Sequence, residues 1–359
     1  MCIKIEINST IMNMHDLLRR DPQIWDLFTR KEEYDNPLRD QYDRFPYYAS
    51  KERDIFEPKA SQYLAGHGYE VKYPDDAPFA VCLTHDIDVT YQSVRSKGIS
   101  ALRALKNGKP SRPVQSISRM RSKKLPFCNF AEIMDLEEKF GAKSTFFFMS
   151  ESPGEQDYSY DIKDLEPEIS EIVDRGWEVG LHGGHGTYLN PEEMREKKER
   201  LEKVARKPVL GDRNHYLRFR VPDTWEFLSQ AGFKYDSTLG YADCIGFRNG
   251  MCHPFRPFNL NTGHEIDIVE IPLVVMDGTL FQSYMRLDSD SAIKLVKRLI
   301  DQVAELHGVF TLLWHNTFLL QNSDGLEFYH EILRYCNERN AWLSNGFKIA
   351  QFWKDFVLA

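Results

Sequence analysis

Phe79-Ala80-Val81-Cys82-Leu83-Thr84-His85-Asp86-Ile87-Asp88 decides the fold. The first five residues are an unbroken apolar run and read as a buried strand. The run ends in two carboxylates. Side chains on a strand alternate faces, so Asp86 and Asp88 point the same way, roughly 7 Å apart. Two carboxylates at the end of a buried strand are costly unless something there uses their charge. A metal ion, or a proton to be moved, is such a use; a simple capping turn is the alternative.

Three more runs follow this pattern. Trp177-Glu178-Val179-Gly180-Leu181 ends in His182-Gly183-Gly184-His185-Gly186. Pro208-Val209-Leu210-Gly211-Asp212 ends in Arg213-Asn214-His215, and Val309-Phe310-Thr311-Leu312-Leu313-Trp314 ends in His315-Asn316. Four apolar runs therefore finish in His, Asp or Arg. The carboxyl ends of parallel strands are where α/β barrels build active sites. Together the four make a catalytic centre the better explanation.

Between the runs the pattern changes period. Helices are expected over 130–140, 166–175, 191–205, 224–231 and 289–306. Further strands are expected over 142–149, 233–239 and 266–275. Alternation of strand and helix over this length argues for a parallel α/β fold. Residues 1–75 show no sustained period and are broken by Asp21-Pro22, Asn36-Pro37 and Phe45-Pro46. They are expected to form an N-terminal extension packing on a barrel over 76–359. A basic insertion near 90–127 includes Lys97, Arg103, Lys106, Lys109, Arg112, Arg119, Arg121, Lys123 and Lys124. It reads as a solvated loop or as a lid over an anionic substrate.

The chain has 359 residues, 42% hydrophobic and 28% charged, with a net charge of -8. That balance disfavours nucleic acid or an anionic membrane as the main partner. The six cysteines form no CxxC pair, so neither a zinc knuckle nor a redox motif is expected. The first twenty residues lack an apolar core, and no stretch approaches the length of a membrane span. The expectation is a reduced, cytoplasmic protein with no membrane span. Aromatic content of 13% leaves room for sugar-binding platforms, although most such rings are core.

Imidazole with carboxylate suits one divalent ion, zinc first, with cobalt, nickel or iron as alternatives. Asp88 and His182 are the first two expected ligands. A catalytic site usually takes three protein ligands and keeps one position open. His185 and His215 compete for the third place. Asp86 is then free to act as a base. Arg213 can hold it ionised, and His315 can protonate a leaving amine. Backbone N–H groups near Asn214 to Tyr216 are candidates for oxyanion stabilisation.

Thr84-His85-Asp86-Ile87-Asp88, His182, Arg213 and the Leu313-Trp314-His315 ending occur in the order found in polysaccharide deacetylases. That is the NodB-homology group, carbohydrate esterase family four, and the resemblance covers roughly residues 76–320. It implies a distorted (β/α) barrel of about seven parallel strands. It implies a divalent metal and removal of an acetyl group from an N-acetylated sugar or sugar precursor, in surface-polysaccharide biosynthesis. Asp86 resembles the catalytic base, Asp88 and His182 metal ligands, Arg213 the residue that orients the base, and His315 the general acid. Asp236, in Tyr235-Asp236-Ser237-Thr238, resembles an Asp that flanks the site. The chain departs from the family pattern at three places. Ile87 separates the two aspartates, Gly186 stands where a second His is usual, and Asn214-His215 replace the usual residues after the Arg. Arg220-Val221-Pro222 keeps the Arg–Pro spacing and makes Arg220 a rival to Arg213. Proteins most like this one often lack the second His, which tilts the third ligand towards His215. A C–N hydrolase acting on a small amide, or a metal-free binding module, are the competing functions.

Overall fold

The computed structural model describes residues 13–90, 128–321 and 323–358. Residues 91–127, almost all of the expected basic insertion, lie outside that range. Eleven strands are assigned among the described residues. They are β1 (Ala80–Ile87), β2 (Thr145–Phe148), β3 (Glu178–Gly183), β4 (Gly211–Asn214), β5 (Tyr235–Asp236), β6 (Phe258–Asn259), β7 (His264–Glu265), β8 (Val269–Glu270), β9 (Val275–Met276), β10 (Val309–Leu313) and β11 (Trp342–Ser344). Nine form one sheet in the order β8-β5-β4-β3-β2-β1-β10-β9, with β11 also on β1. Every pairing in that sheet is parallel. β6 and β7 form a separate antiparallel pair. The architecture is the expected α/β one, a curled parallel sheet backed by helices.

The strands of the large sheet are almost entirely buried. A parallel sheet covered on both faces has no solvent side, so it reads as a continuous apolar run instead of an alternating one. β1 is buried at all eight positions. The helix Ser289–Glu305 shows how the outer layer is attached. Ala292, Val296, Leu299, Ile300 and Val303 are its buried residues, spaced along a single helical face. Asp288 caps its start by accepting from the Ser291 amide at 2.8 Å, which satisfies one of the orphan donors there.

Register fixes which side chains meet. Ile87, Phe148, Leu181, Asp212, Asp236 and Glu270 lie in one lateral row across β1, β2, β3, β4, β5 and β8. Asp86 lies in the row with Phe147, Gly180, Gly211 and Tyr235. Neighbouring rows face opposite sides. The Asp86 row faces the inside of the curl. A side chain at Gly180 would strike the Phe147 ring, and one at Gly211 the Tyr235 ring. Both glycines thus leave space for aromatic rings that fill the interior below the site.

Three strand expectations shift. Over 208–212 a strand was expected, but β4 begins only at Gly211; Pro208 has no N–H to give a ladder. The candidate over 266–275 is interrupted, and β8 and β9 are its two ends, with Pro272 between them. The candidate over 233–239 pairs only at β5.

Residues before β1 pack on the loops after β5. Arg30 bonds to Glu33 at 2.7 Å and to the Arg248 carbonyl at 2.7 Å, and Arg248 reaches Glu33 at 2.6 Å. All three side chains are buried. Burial alone would push the Glu33 carboxyl up, but Arg248 and Arg30 hold it below the usual range. Among the described residues no helix is long and apolar enough to cross a membrane.

Candidate active site

The strand ends converge as the sequence suggests. Asp88 lies just past β1, His182 within β3, Arg213 within β4, His215 just after β4 and His315 two residues beyond β10. Asp88, His182 and His215 each offer a ligand atom, and these atoms lie within 4.8 Å of one another. His182 Nε2 is 3.1 Å from Asp88 Oδ1. His215 Nε2 is 3.8 Å from the same oxygen. Among the described residues neither Asp88 Oδ1 nor His182 Nε2 has a hydrogen-bond partner, and both atoms are buried. Orphaned polar atoms of this kind call for an explanation. One carboxylate and two imidazoles are a donor set that could hold a divalent cation.

Both histidines are oriented from behind. His182 Nδ1 lies 2.7 Å from the Arg213 carbonyl oxygen, its neighbour across the β3–β4 ladder. Donation to that oxygen leaves the Nε2 lone pair facing Asp88. His215 Nδ1 lies 3.0 Å from Asp157 Oδ2, and donation there has the same effect. Such partners fix the tautomer and raise the basicity of ligating histidines. Burial alone would raise the Asp88 carboxyl, but His215, His182 and His315 hold it well below the usual range. Burial would lower the His182 imidazole, yet Asp86 and Asp88 raise it.

Asp86 sits beside this cluster. Its Oδ2 is 3.7 Å from His182 Nε2, and its Oδ1 is 3.7 Å from Arg213 Nη1. Arg213 is fully buried. Its Nη2 donates to Ser237 Oγ at 2.9 Å and Thr84 Oγ1 at 3.2 Å, and its guanidinium lies 5.2 Å from the Phe147 ring centre. His315 Nε2 is 3.5 Å from Asp88 Oδ2. His315 Nδ1 is 2.6 Å from Asp277 Oδ1, and its backbone N–H donates to Asp277 Oδ2 at 2.9 Å. Burial would lower the His315 imidazole, but Asp277 and then Asp88 and Asp86 push it up to about 10.

Four expected contributors lie elsewhere. His185 is outside the ligand group; its ring points to Asp157 at 3.8 Å and is partly exposed. Two glycines after His182 carry the chain past the cluster instead of folding it back. Asp236 is on the opposite face of the sheet from Arg213, because Ser237 takes the inward position. There it accepts from Thr238 Oγ1 at 2.6 Å and the Thr238 amide at 3.1 Å. It shares a buried outer row with Asp212 and Glu270, and burial pushes all three carboxyls up. Arg220 pairs with Asp43 at 2.7 Å and not with Asp86. The Asn214 amide, expected near an oxyanion, already donates to Thr238 Oγ1 at 3.0 Å.

Two residues of the site had no role assigned from sequence. Asp157 is on the loop after β2 and is separated from His215 by 58 residues. Asp277 follows β9, and the β9–β10 ladder carries it to His315.

No protein-family model and no curated protein sequence matches the chain. Solved structures do. A presumed polysaccharide deacetylase from Mycobacterium smegmatis superposes with a TM-score of 0.55 at 20% identity, over 80% of this chain and 94% of its own. A probable polysaccharide deacetylase from Pseudomonas aeruginosa PAO1 gives 0.52 at 13% identity, over 86% and 96%. The fold is that of the polysaccharide deacetylases. A structure of Puue allantoinase gives 0.52 at 15% identity, over 89% and 98%, so the same architecture also occurs under that name.

Proposed function

We propose that this chain is a metal-dependent hydrolase that removes the acetyl group from an N-acetylated sugar or sugar precursor. The observation that carries the proposal is the Asp88–His182–His215 group, with Asp86 and His315 both beside it. Asp88, His182 and His215 would hold one divalent ion, with zinc the first choice for this donor set and cobalt, nickel or iron the alternatives. Such an ion, when bound, polarises a carbonyl oxygen and makes water acidic enough to ionise near neutral pH.

The remaining chemistry belongs to the protein. Asp86 takes the proton from the attacking water, with the Arg213 guanidinium 3.7 Å from it. His315 is held protonated by Asp277, so it gives a proton to the departing amine. A base and an acid on opposite sides of the scissile bond are what amide hydrolysis requires. The names of the deacetylase structures support this reading, while their low identity leaves the sugar and the pathway, expected in surface-polysaccharide biosynthesis, as parts of the proposal. A cytoplasmic setting would supply activated precursors as the substrate.

A second reading, hydrolysis of a small non-sugar amide, is favoured by the likeness to the allantoinase structure. Acetate release separates the two. Protein purified without chelator should carry about one divalent ion per chain and release acetate from an N-acetylated sugar. A metal-bearing protein that cleaves small amides and no acetylated sugar would favour the second reading. Protein without metal would make the chain a binding module.

A further inference from the structure

His85 precedes Asp86 in β1 and points to the opposite, helix-covered face of the sheet. It is fully buried. His85 Nε2 lies 2.8 Å from Glu137 Oε1, and Nδ1 lies 2.7 Å from the Trp314 carbonyl oxygen. A carbonyl oxygen only accepts, so Nδ1 is the donor there.

Glu137 anchors the ring from behind. It lies near the end of the helix Phe130–Glu138 and is fully buried. Its Oε1 also accepts from the Tyr329 hydroxyl at 2.7 Å. Its Oε2 accepts from Ser144 Oγ at 2.8 Å and from Trp177 Nε1 at 2.6 Å. Burial alone would push this carboxyl up, but His85, Trp177 and Tyr329 hold it below the usual range. The partners come from β1, from the residues just before β2 and β3, and from the helix Ser323–Asn337. A buried polar network whose members are satisfied rigidifies the elements it joins.

The bond to Trp314 falls where β1 and β10 part. Their ladder closes with Thr84 opposite Leu313, and the Trp314 amide still donates to the Thr84 carbonyl at 3.0 Å. The Trp314 carbonyl comes next, and the His85 side chain meets it. One residue further on stand Asp86 in one segment and His315 in the other. His85 therefore joins the backbone beside the base to the backbone beside the acid.

We propose that His85 is a positioning residue that sets the backbone carrying His315 against the strand carrying Asp86. Glu137 keeps the ring turned for that bond. This role rests on the hydrolase reading above. His85 acts through the Trp314 carbonyl, from the face of the sheet away from the cleft.

The test uses the full chain loaded with zinc and whichever substrate the parent hydrolyses, an N-acetylated sugar or a small amide. His85→Asn puts an amide nitrogen where Nδ1 stands and keeps the donor to Trp314. His85→Gln puts it where Nε2 stands, so it reaches Glu137 and leaves the Trp314 carbonyl without that donor. His85→Gln should lower kcat by about 10- to 100-fold, the order that a misplacement near 1 Å costs. KM and zinc content should hold. His85→Asn should recover most of the loss. Ser144→Ala removes a bond from the Glu137 oxygen that does not face the ring, and should lower the melting temperature with kcat unchanged. Unchanged kcat in His85→Gln, equal losses in the two His85 variants, or a larger loss in His85→Asn would overturn the proposal. So would a kcat that falls with stability in Ser144→Ala. A zinc-loaded parent that cleaves neither acetylated sugar nor small amide would instead remove the hydrolase reading, and this role with it.

Discussion

Asp157 Oδ2 lies 3.0 Å from His215 Nδ1, which turns the other ring nitrogen of His215 towards Asp88. Removing an orienting carboxylate of this kind typically costs about 10- to 100-fold in metal affinity. Asp157→Asn should therefore weaken binding by that order in a competition titration against a chelator, with the fold intact by thermal melting. Unchanged affinity would show that His215 is not a ligand or needs no such partner.

Asp86 should be needed for turnover and not for metal. Its nearest cation is Arg213 at 3.7 Å, and the ligand atoms belong to other residues. Asp86→Asn should keep the ion and lose a factor on the order of 100 or more in kcat, the usual size for a general base. Arg213 is then left buried without its countercharge, and breaking such a pair costs about 3–5 kcal/mol. The melting temperature should drop as well. Loss of the ion along with activity would mean that the roles of Asp86 and Asp88 are exchanged.

The sequence shows some parts of this site and hides others, and the division is physical. Asp86, Asp88, His182, Arg213 and His315 each follow an apolar run directly, so strand period and strand end are local signals. Parallel register then brings the ends together without further information. Asp157 and Asp277 have no such run before them; their partners are chosen by loop and ladder geometry. Asp236 misled because its short segment gave no sign of which side faces in. Phase decides that, and Ser237 at 2.9 Å from Arg213 sets the phase. Residues 40–44 follow no periodic pattern, and only tertiary contacts place Tyr42 and Arg44 at the cleft.

His315 supplies a pH test. Asp277 and the neighbouring aspartates overcome burial and push its imidazole up to about 10. A group raised in the folded state adds stability that is full below its unfolded pKa, near 6.5, and is lost as pH rises through about 10. The acid is therefore loaded throughout the neutral range. The profile of kcat/KM should hold its alkaline side well above neutrality. Asp277→Asn should bring that side down towards neutral pH and lower activity at pH 8 more than at pH 6. An unchanged profile would remove His315 as the acid.

The outer row of Asp212, Asp236 and Glu270 supplies a different one. Burial comes first among the causes that push these carboxyls up, and for Asp212 and Glu270 the neighbouring Asp236 adds to it. Their contribution is therefore full below the ordinary carboxylate range and declines as pH rises through the raised values. Asp236→Asn keeps an oxygen for one of the two Thr238 bonds and removes one titratable carboxyl from the row. Melting temperature should then fall less steeply with rising pH than in the parent, while kcat changes little. A large loss of kcat at unchanged stability would return Asp236 to the catalytic site.

The last prediction concerns the third ligand. His185 and His215 both approach Asp157, at 3.8 Å and 3.0 Å, so they look alike from that carboxylate. From Asp88 they differ. His215 Nε2 is 3.8 Å from its Oδ1, whereas His185 is absent from the group of atoms that could share an ion. The His185 imidazole is also lowered by its surroundings, burial first and then Arg218, and its ring is partly exposed. His215→Ala removes a proposed ligand and should cost more than the roughly 100-fold upper range for an orienting residue. His185→Ala should cost little, because Asp157 still holds His215. Titration of both proteins with zinc, read against a chelator of known affinity, gives the order directly. Equal small losses would leave Asp88 and His182 as the only protein ligands. A larger loss in the His185 protein would mean that the chain after His182 folds back on the ion after all.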